Sequence, residues 1–177
     1  MIRFETERLI MRSFNESDAA GLLDYLSKPR VNCFLNEQLI TMEDAVSSVK
    51  QRQKDEFQLA VCLIDTDKII GNLFAQKGEP DTYSVGWQFN RCYEGKGYAT
   101  EAAKAYLSFL FKDKNARRIY AYVEDDNFRS QKLCERLGML KEGCFKEFIS
   151  FTQNEDGTQK YENTFLYAVL KKEFGWG

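Results

Sequence analysis

Along this 177-residue chain the spacing of hydrophobic positions changes several times, and each change marks an element. Arg8 to Phe14 reads as a first strand, after which Asn15-Glu16-Ser17-Asp18 supplies helix-start residues ahead of Ala19, Leu22, Leu23 and Leu26. A second helix is expected over Met42–Asp55, with Thr41 as N-cap and Asp44 three residues on. The apolar runs Leu59–Ile64 and Ile69–Ala75, separated by Asp65-Thr66-Asp67-Lys68, predict a hairpin. Tyr83, Val85, Trp87 and Phe89 then alternate with Ser84, Gly86 and Gln88, the period of a strand with one face buried. From Ala99 the period becomes helical, through Ala102, Ala103, Tyr106, Leu107 and Leu110. Ile119–Val123 is a short strand, and Asn127 caps a helix carrying Leu133 and Leu137 that Gly138 stops. Two further strands, Phe145–Phe151 and Phe165–Leu170, flank a polar hairpin loop centred on Asn154-Glu155-Asp156-Gly157. This order predicts an α+β (α/β) fold, a mixed sheet with helices on it, and the length predicts a single domain over residues 1–177.

Composition narrows the function classes. Hydrophobic residues at 44% and charged ones at 29% are those of a globular chain. Twenty-five basic against 27 acidic side chains give a net charge of −2, so the overall basic footprint of a nucleic-acid binder is missing. Apolar runs such as Phe165–Leu170 fall far short of the ~20 residues of a membrane span. The opening Met1-Ile2-Arg3-Phe4-Glu5 is charged from its third residue, unlike a signal peptide, and a cytoplasmic location is expected. There is no histidine, which removes imidazole bases, Ser-His pairs and His-ligated metals. Cys33, Cys62, Cys92, Cys134 and Cys144 form no C-x-x-C, so no metal is expected and reduced thiols are the plain reading.

Two segments carry chemistry. In Arg91-Cys92-Tyr93-Glu94-Gly95-Lys96-Gly97-Tyr98-Ala99-Thr100-Glu101-Ala102 a glycine-rich loop joins a strand to a helix. Glycines let the backbone approach a ligand closely, and helix-start N–H groups suit a phosphate or pyrophosphate. Thr100 stands where a dinucleotide fingerprint needs its third glycine, and the preceding strand ends an antiparallel meander; a P-loop is missing too. A turn that merely starts a helix also fits the loop. Asn127-Phe128-Arg129-Ser130-Gln131-Lys132-Leu133-Cys134-Glu135-Arg136-Leu137-Gly138-Met139 is the second segment, and capping alone explains its Asn127.

Together, and in this order, these segments resemble the GNAT superfamily of acetyl-CoA-dependent N-acetyltransferases, in the Rim-type branch that includes ribosomal-protein-alanine acetyltransferases. Thr6-Glu7-Arg8-Leu9-Ile10-Met11-Arg12, followed by Asp18, is similar to the branch's opening. Gly95 to Ala102 matches its "GKGYATEA" loop, and Asn127 to Met139 its "NxxSxxxxEKLGF" segment, with Met139 and Arg136 substituted. Tyr161 to Leu170 fits its ending.

The resemblance implies a mostly antiparallel sheet of about seven strands under about four helices, its fourth and fifth strands splayed around acetyl-CoA. On it, the backbone of Tyr93, Glu94, Gly95, Lys96, Gly97, Tyr98 and Ala99 holds the pyrophosphate, the edge at Gln88 and Phe89 holds the pantetheine, and Asn127 and Ser130 contact the cofactor. Ser130 would lie near the departing sulfur. Cys92 departs from the family's Gln or Arg, and Asn163 from its frequent Asp. Cys134 stands at or beside the tyrosine that many relatives use as acid. It is a candidate acid in turn, set against the reading of a buried structural thiol. Glu94 and Glu37 are base candidates by loop position alone, and the base is left open.

The implied partner is an amine acceptor, either a protein N-terminus (ribosomal-protein-like) or a small molecule such as an amino acid, polyamine or aminoglycoside. An α-amine, with a pKa near ~8, is the easier acceptor without a histidine base. Acceptor choice is expected from the first two helices, the loop Val31–Leu35 and the last hairpin, and a homodimer is expected from relatives and exposed edge strands. A non-catalytic acyl-CoA-binding module, and a phosphate-binding protein preferring ATP or NAD, are the other classes.

Overall fold

The computed structural model describes residues 2–176; Met1 and Gly177, the ends of the expected 1–177 domain, lie outside the described residues. In chain order the elements are β1 (Arg3–Glu5), β2 (Leu9–Ser13), α1 (Ala19–Leu26), α2 (Met42–Arg52), β3 (Leu59–Leu63), β4 (Ile69–Gly78), β5 (Thr82–Phe89), α3 (Tyr98–Lys112), β6 (Arg118–Glu124), α4 (Phe128–Arg136), β7 (Leu140–Gln153) and β8 (Gln159–Leu170). Short 3-10 segments cover Glu16–Asp18, Asn32–Glu37 and Arg91–Tyr93. The strands form one sheet in the order β1-β2-β3-β4-β5-β6-β8-β7, antiparallel throughout except for the β5–β6 pair.

Alternation within the strands builds two cores. Leu59 and Val61 of β3, Tyr83 and Val85 of β5, and Ile119, Ala121 and Val123 of β6 turn to the face covered by α3 and α4. Ala60 and Cys62 turn the other way, beneath α1 and α2 with Leu22, Leu26, Ala45 and Val49. Between α1 and the sheet, Arg12 donates from Nη1 and Nη2 to the two Asp18 carboxylate oxygens, both at 2.8 Å, and both residues are buried.

Among the described residues four α-helices match the expectation, but the strands number eight. β1 carries no sequence signal of a strand, since Arg3-Phe4-Glu5 offers a single apolar residue; it is held by pairing with β2 and by Phe4 stacked on Phe109 at 5.2 Å. β7 begins at Leu140 rather than Phe145, since most of it is exposed and its register with β8 shifts at three places, which erases the period of two. β8 likewise begins at Gln159, its first residues being polar and exposed. α2 stops at Arg52, short of Asp55, and the expected loop at Val31–Leu35 is largely 3-10 helix. β5 ends the antiparallel meander, as read, yet also opens a parallel β5–α3–β6 unit. Of the two grounds against a dinucleotide fingerprint, only the missing third glycine stands.

Candidate active site

The parallel strands β5 and β6 stay in register only from Thr82–Arg118 to Ser84–Tyr120. β5 runs on to Phe89 and β6 to Glu124, so a wedge opens between their C-terminal ends. The glycine loop sits at the end of β5. Gly95 and Gly97 adopt φ of 77° and 80°, values that a side chain disfavours, and Gly97 is the N-cap of the 15-residue α3. The first N–H groups of a helix have no intrahelical partner and lie at its positive end. A Cβ built at Gly95 would meet nothing within 4 Å, so that stretch of backbone is open to a ligand. The loop's chemistry therefore suits a phosphate.

Signature residues from the chain's start brace this loop. Thr6 Oγ1 donates to Glu101 Oε1 at 2.6 Å, and Arg8 Nε donates to Glu101 Oε2 at 2.7 Å. Arg8 Nη1 reaches the Lys96 carbonyl at 3.0 Å, and its guanidinium lies 4.7 Å from the centre of the Tyr98 ring. Partial burial works against the Glu101 charge, but the hydrogen bonds from Thr6 and Arg8 outweigh it and hold the carboxyl below its ordinary range. Glu94 takes Arg30 on one oxygen at 3.0 Å and Arg129 on the other at 2.6 Å, joining the chain after α1, the glycine loop and α4. Cys92 is exposed, and its N–H is capped by Asn90 Oδ1 at 2.9 Å.

On the α3/α4 face, Asn127 caps α4 by accepting from Ser130 N at 3.2 Å, as its sequence context predicted. Ser130 Oγ accepts from Trp87 Nε1 of β5 at 3.2 Å, which ties α4 to the edge of the wedge and leaves the hydroxyl proton to donate elsewhere. Cys134 is fully buried in the core, and burial pushes its thiol up to about 12. That environment supports the structural reading of this cysteine.

The face under α1 and α2 holds groups that sequence reasoning missed. Glu124 ends β6 and pairs in register with Thr164 of β8, with Glu162 two residues along on the same side. All three are buried: Glu124 is 8%, Glu162 7% and Thr164 2% exposed. Desolvation raises the Glu124 carboxyl above its ordinary range, and the nearby charges of Glu162 and Asp126 add to this; hydrogen bonds from the Cys33 thiol and its own backbone only partly offset them. The segment Asn32–Glu37 roofs the group, with Asn32 Nδ2 on Glu162 Oε1 at 2.8 Å. Glu162 Oε2 and Thr164 Oγ1 are buried without a hydrogen-bond partner, as are Gln88 Oε1 and Asn72 Nδ2. An orphaned buried polar atom costs ~1–3 kcal/mol, so such a concentration beside one wedge is a feature of a binding site. By contrast, a concavity of about 540 Å³ between β1 and α3, lined by Phe4, Phe109 and Lys112, holds none of these atoms.

Neither loop carboxylate named from the sequence stands free. Glu37 Oε2 accepts from Arg52 Nη2 at 2.8 Å and from Gln88 Nε2 at 3.2 Å, and Glu94 is held by its two arginines. Asn163 donates to Asp125 Oδ2 at 2.8 Å and accepts from Glu147 N at 2.9 Å, pinning the irregular stretch of β7. The one sequence signal for the missed group was a carboxylate on the even positions of β6, following Tyr120 and Tyr122. Among the described residues, no group of three or more Cys, Asp or Glu side chains is arranged to hold a metal ion.

A family model described as an acetyltransferase (GNAT) domain matches residues 8–140. The "Uncharacterized N-acetyltransferase YnaD" of Bacillus subtilis (strain 168) is 36% identical over 172 residues, covering 96% of this chain and 97% of that protein. The ribosomal protein uS5-alanine N-acetyltransferase of Escherichia coli (strain K12) is 25% identical over 163 residues, covering 84% of this chain and 83% of its own length. Among solved structures, an acetyltransferase (GNAT family) from Bacillus anthracis superposes with a TM-score of 0.85 at 31% identity, over 97% of this chain and all of that one. Wedge, braced glycine loop and these likenesses agree: the chain belongs to the GNAT family of N-acetyltransferases.

Proposed function

We propose that this acetyltransferase takes its acetyl group from acetyl-CoA and passes it directly to a primary amine, with the thioester lying in the wedge between β5 and β6. The observation that carries this is the end of β5–β6 pairing at Ser84 and Tyr120, beside a glycine loop at the start of α3. In this reading the N–H groups from Tyr93 to Ala99 hold the pyrophosphate, and Lys96 adds a positive charge. The unpaired edge of β5 at Gln88 and Phe89 hydrogen-bonds the pantetheine arm, and its amides face the oxygen where tetrahedral charge develops. Asn127 fixes the first turn of α4, so that Ser130 directs its free O–H toward the sulfur as the C–S bond breaks. The acceptor approaches from the α1/α2 face. A protein N-terminal α-amine and small-molecule amines both belong to the class, and the likeness to the uS5-alanine enzyme favours the first. We further propose one domain over 1–177, a cytoplasmic location, and a homodimer, for which the long β7 at the sheet's outer edge offers a surface.

The test is a thermal-shift titration with acetyl-CoA, CoA, ATP and NAD in parallel. A ligand at 100 times its Kd adds ~2.7 kcal/mol, a rise of several degrees for a chain of this size. A rise with acetyl-CoA and CoA alone is expected. No rise with either at millimolar concentration would overturn the reading. The burial of Cys134, which removes the family-like acid on α4, favours one second reading, a module that binds acyl-CoA without turning it over. Such a module gives the same thermal shift and releases no thiol when amines are added.

A further inference from the structure

We infer that Glu124, Glu162 and Thr164 form the acceptor site, which receives a primary ammonium carried on an apolar or aromatic body, and that Glu124 is the base that takes its proton. This rests on the proposed acetyl-CoA reaction for its second half only.

The three groups share one face of adjacent strands, because Glu124 and Thr164 are register partners and Glu162 lies two residues from Thr164. They offer the Glu124 carboxylate, the orphaned Glu162 Oε2 and the orphaned Thr164 Oγ1. A primary ammonium has three N–H donors in a compact tripod, which suits acceptors offered by neighbouring positions on one face of two paired strands. Two buried carboxylates also demand a cation. Among the described residues, the charged and titratable groups around Glu124 do not supply one. Glu162 faces it from β8, Asp126 from the following turn and Cys33 from the 3-10 roof. Arg52 is spent on Glu37 and Gln58. The same row continues from Thr164 to its other register partner, Phe145 of β7. Phe145, Phe148 and Tyr122 pack with ring centres 5.0–6.3 Å apart, yet remain 40%, 52% and 46% exposed. They give the acceptor's body an aromatic wall beside the carboxylates.

The chemistry balances as follows. The Glu124 carboxylate accepts one proton from R–NH3⁺, giving R–NH2 and a neutral carboxyl. The nitrogen lone pair forms the N–C bond to the thioester carbonyl, the C–S bond breaks, and the second nitrogen proton leaves with the CoA thiolate as thiol. Glu124 then returns its proton to water. The base lies above its ordinary range, which lets it accept a proton from an alkylammonium more readily than a surface carboxylate would.

The experiment uses phenethylamine, N-methylphenethylamine and trimethyl-phenethylammonium at matched ionic strength, in wild type, Glu124→Gln, Glu162→Gln and the double variant. Melting is read first without acetyl-CoA. Wild type is expected to rank the primary ammonium above the secondary and the quaternary, and the double variant to lose that ranking. With acetyl-CoA, Glu124→Gln should lower kcat/KM by about 100-fold and flatten the acidic limb of the pH profile. Glu162→Gln should raise KM about tenfold with a smaller change in kcat. Equal or absent shifts with the three amines, or a ranking that survives in the double variant, would overturn the site. Should the double variant fail to melt cooperatively, the single isosteric variants decide. An ammonium ranking without any acetyl-CoA shift would keep the site and sink the cofactor reading.

Discussion

Arg12 and Asp18 are two charges held out of water by each other, through a two-pronged hydrogen bond at 2.8 Å. Burial alone would disfavour the Arg12 charge, and its bonds to Asp18 and Asp67 more than restore it. Removing one partner leaves the other charge buried and uncompensated. Arg12→Met is therefore expected to cost about 3–5 kcal/mol, and Arg12→Met with Asp18→Leu to recover part of it, as urea denaturation would read. Gly97 makes a different demand, since at φ 80° it starts α3 where a side chain is strained. Gly97→Ala should lose about 1 kcal/mol or somewhat more of stability. It should weaken acetyl-CoA binding as well, measured by calorimetry, because the loop's N–H groups move with it. Both positions were visible in the sequence as pieces of a signature, although nothing there showed that Arg12 and Asp18 touch.

At the scale of elements, the signature at the chain's start and the signature at the glycine loop are one structure. β2 lies in the same sheet as β5 with two strands between them, and Thr6 and Arg8 cross from its near end to Glu101 on α3. Glu101 thus sets how α3 presents its first turn. Glu101→Gln should raise the Kd for acetyl-CoA about tenfold by misplacing that turn, and lower the melting temperature at neutral pH because the charge held by Thr6 and Arg8 is lost. α3, α4 and the central strands were legible because each carries an unbroken period of 3.6 or 2. β7 was legible only in part, since exposure and three register shifts remove the alternation. Of the acceptor site only the segments were legible, the loop Val31–Leu35 and the last hairpin, and not the residues. Its members come from the 3-10 roof, β6 and β8, far apart in sequence, and each alone looks like a surface acid or a capping amide.

For the whole molecule, acids with shifted titration make stability depend on pH in two opposed ways. A carboxyl raised in the fold keeps its proton where the unfolded chain has lost it, so it makes the protein less stable as pH rises through that window. Glu124 is such a group, with an ordinary value of 4.5 as the lower edge of its window. Glu101 and Glu142 are held low, so what they add is present above that value and fades as pH falls. Glu124→Gln is expected to melt above wild type at neutral pH, the gap closing as pH falls toward 4.5. A gap that widens on acidification would contradict the burial of this charge. A stability cost at Glu124 with a functional return is the pattern expected of a site rather than of a core.

The most direct test of the central claim follows the sulfur. Protein and acetyl-CoA are mixed with a panel of primary amines, including peptides with a free N-terminus, and free CoA thiol is measured with time. The account predicts thiol release that depends on the amine, accompanied by one acetyl group on the amine and reduced in Glu124→Gln. Acetyl-CoA that binds in the wedge but yields no thiol with any amine would contradict it.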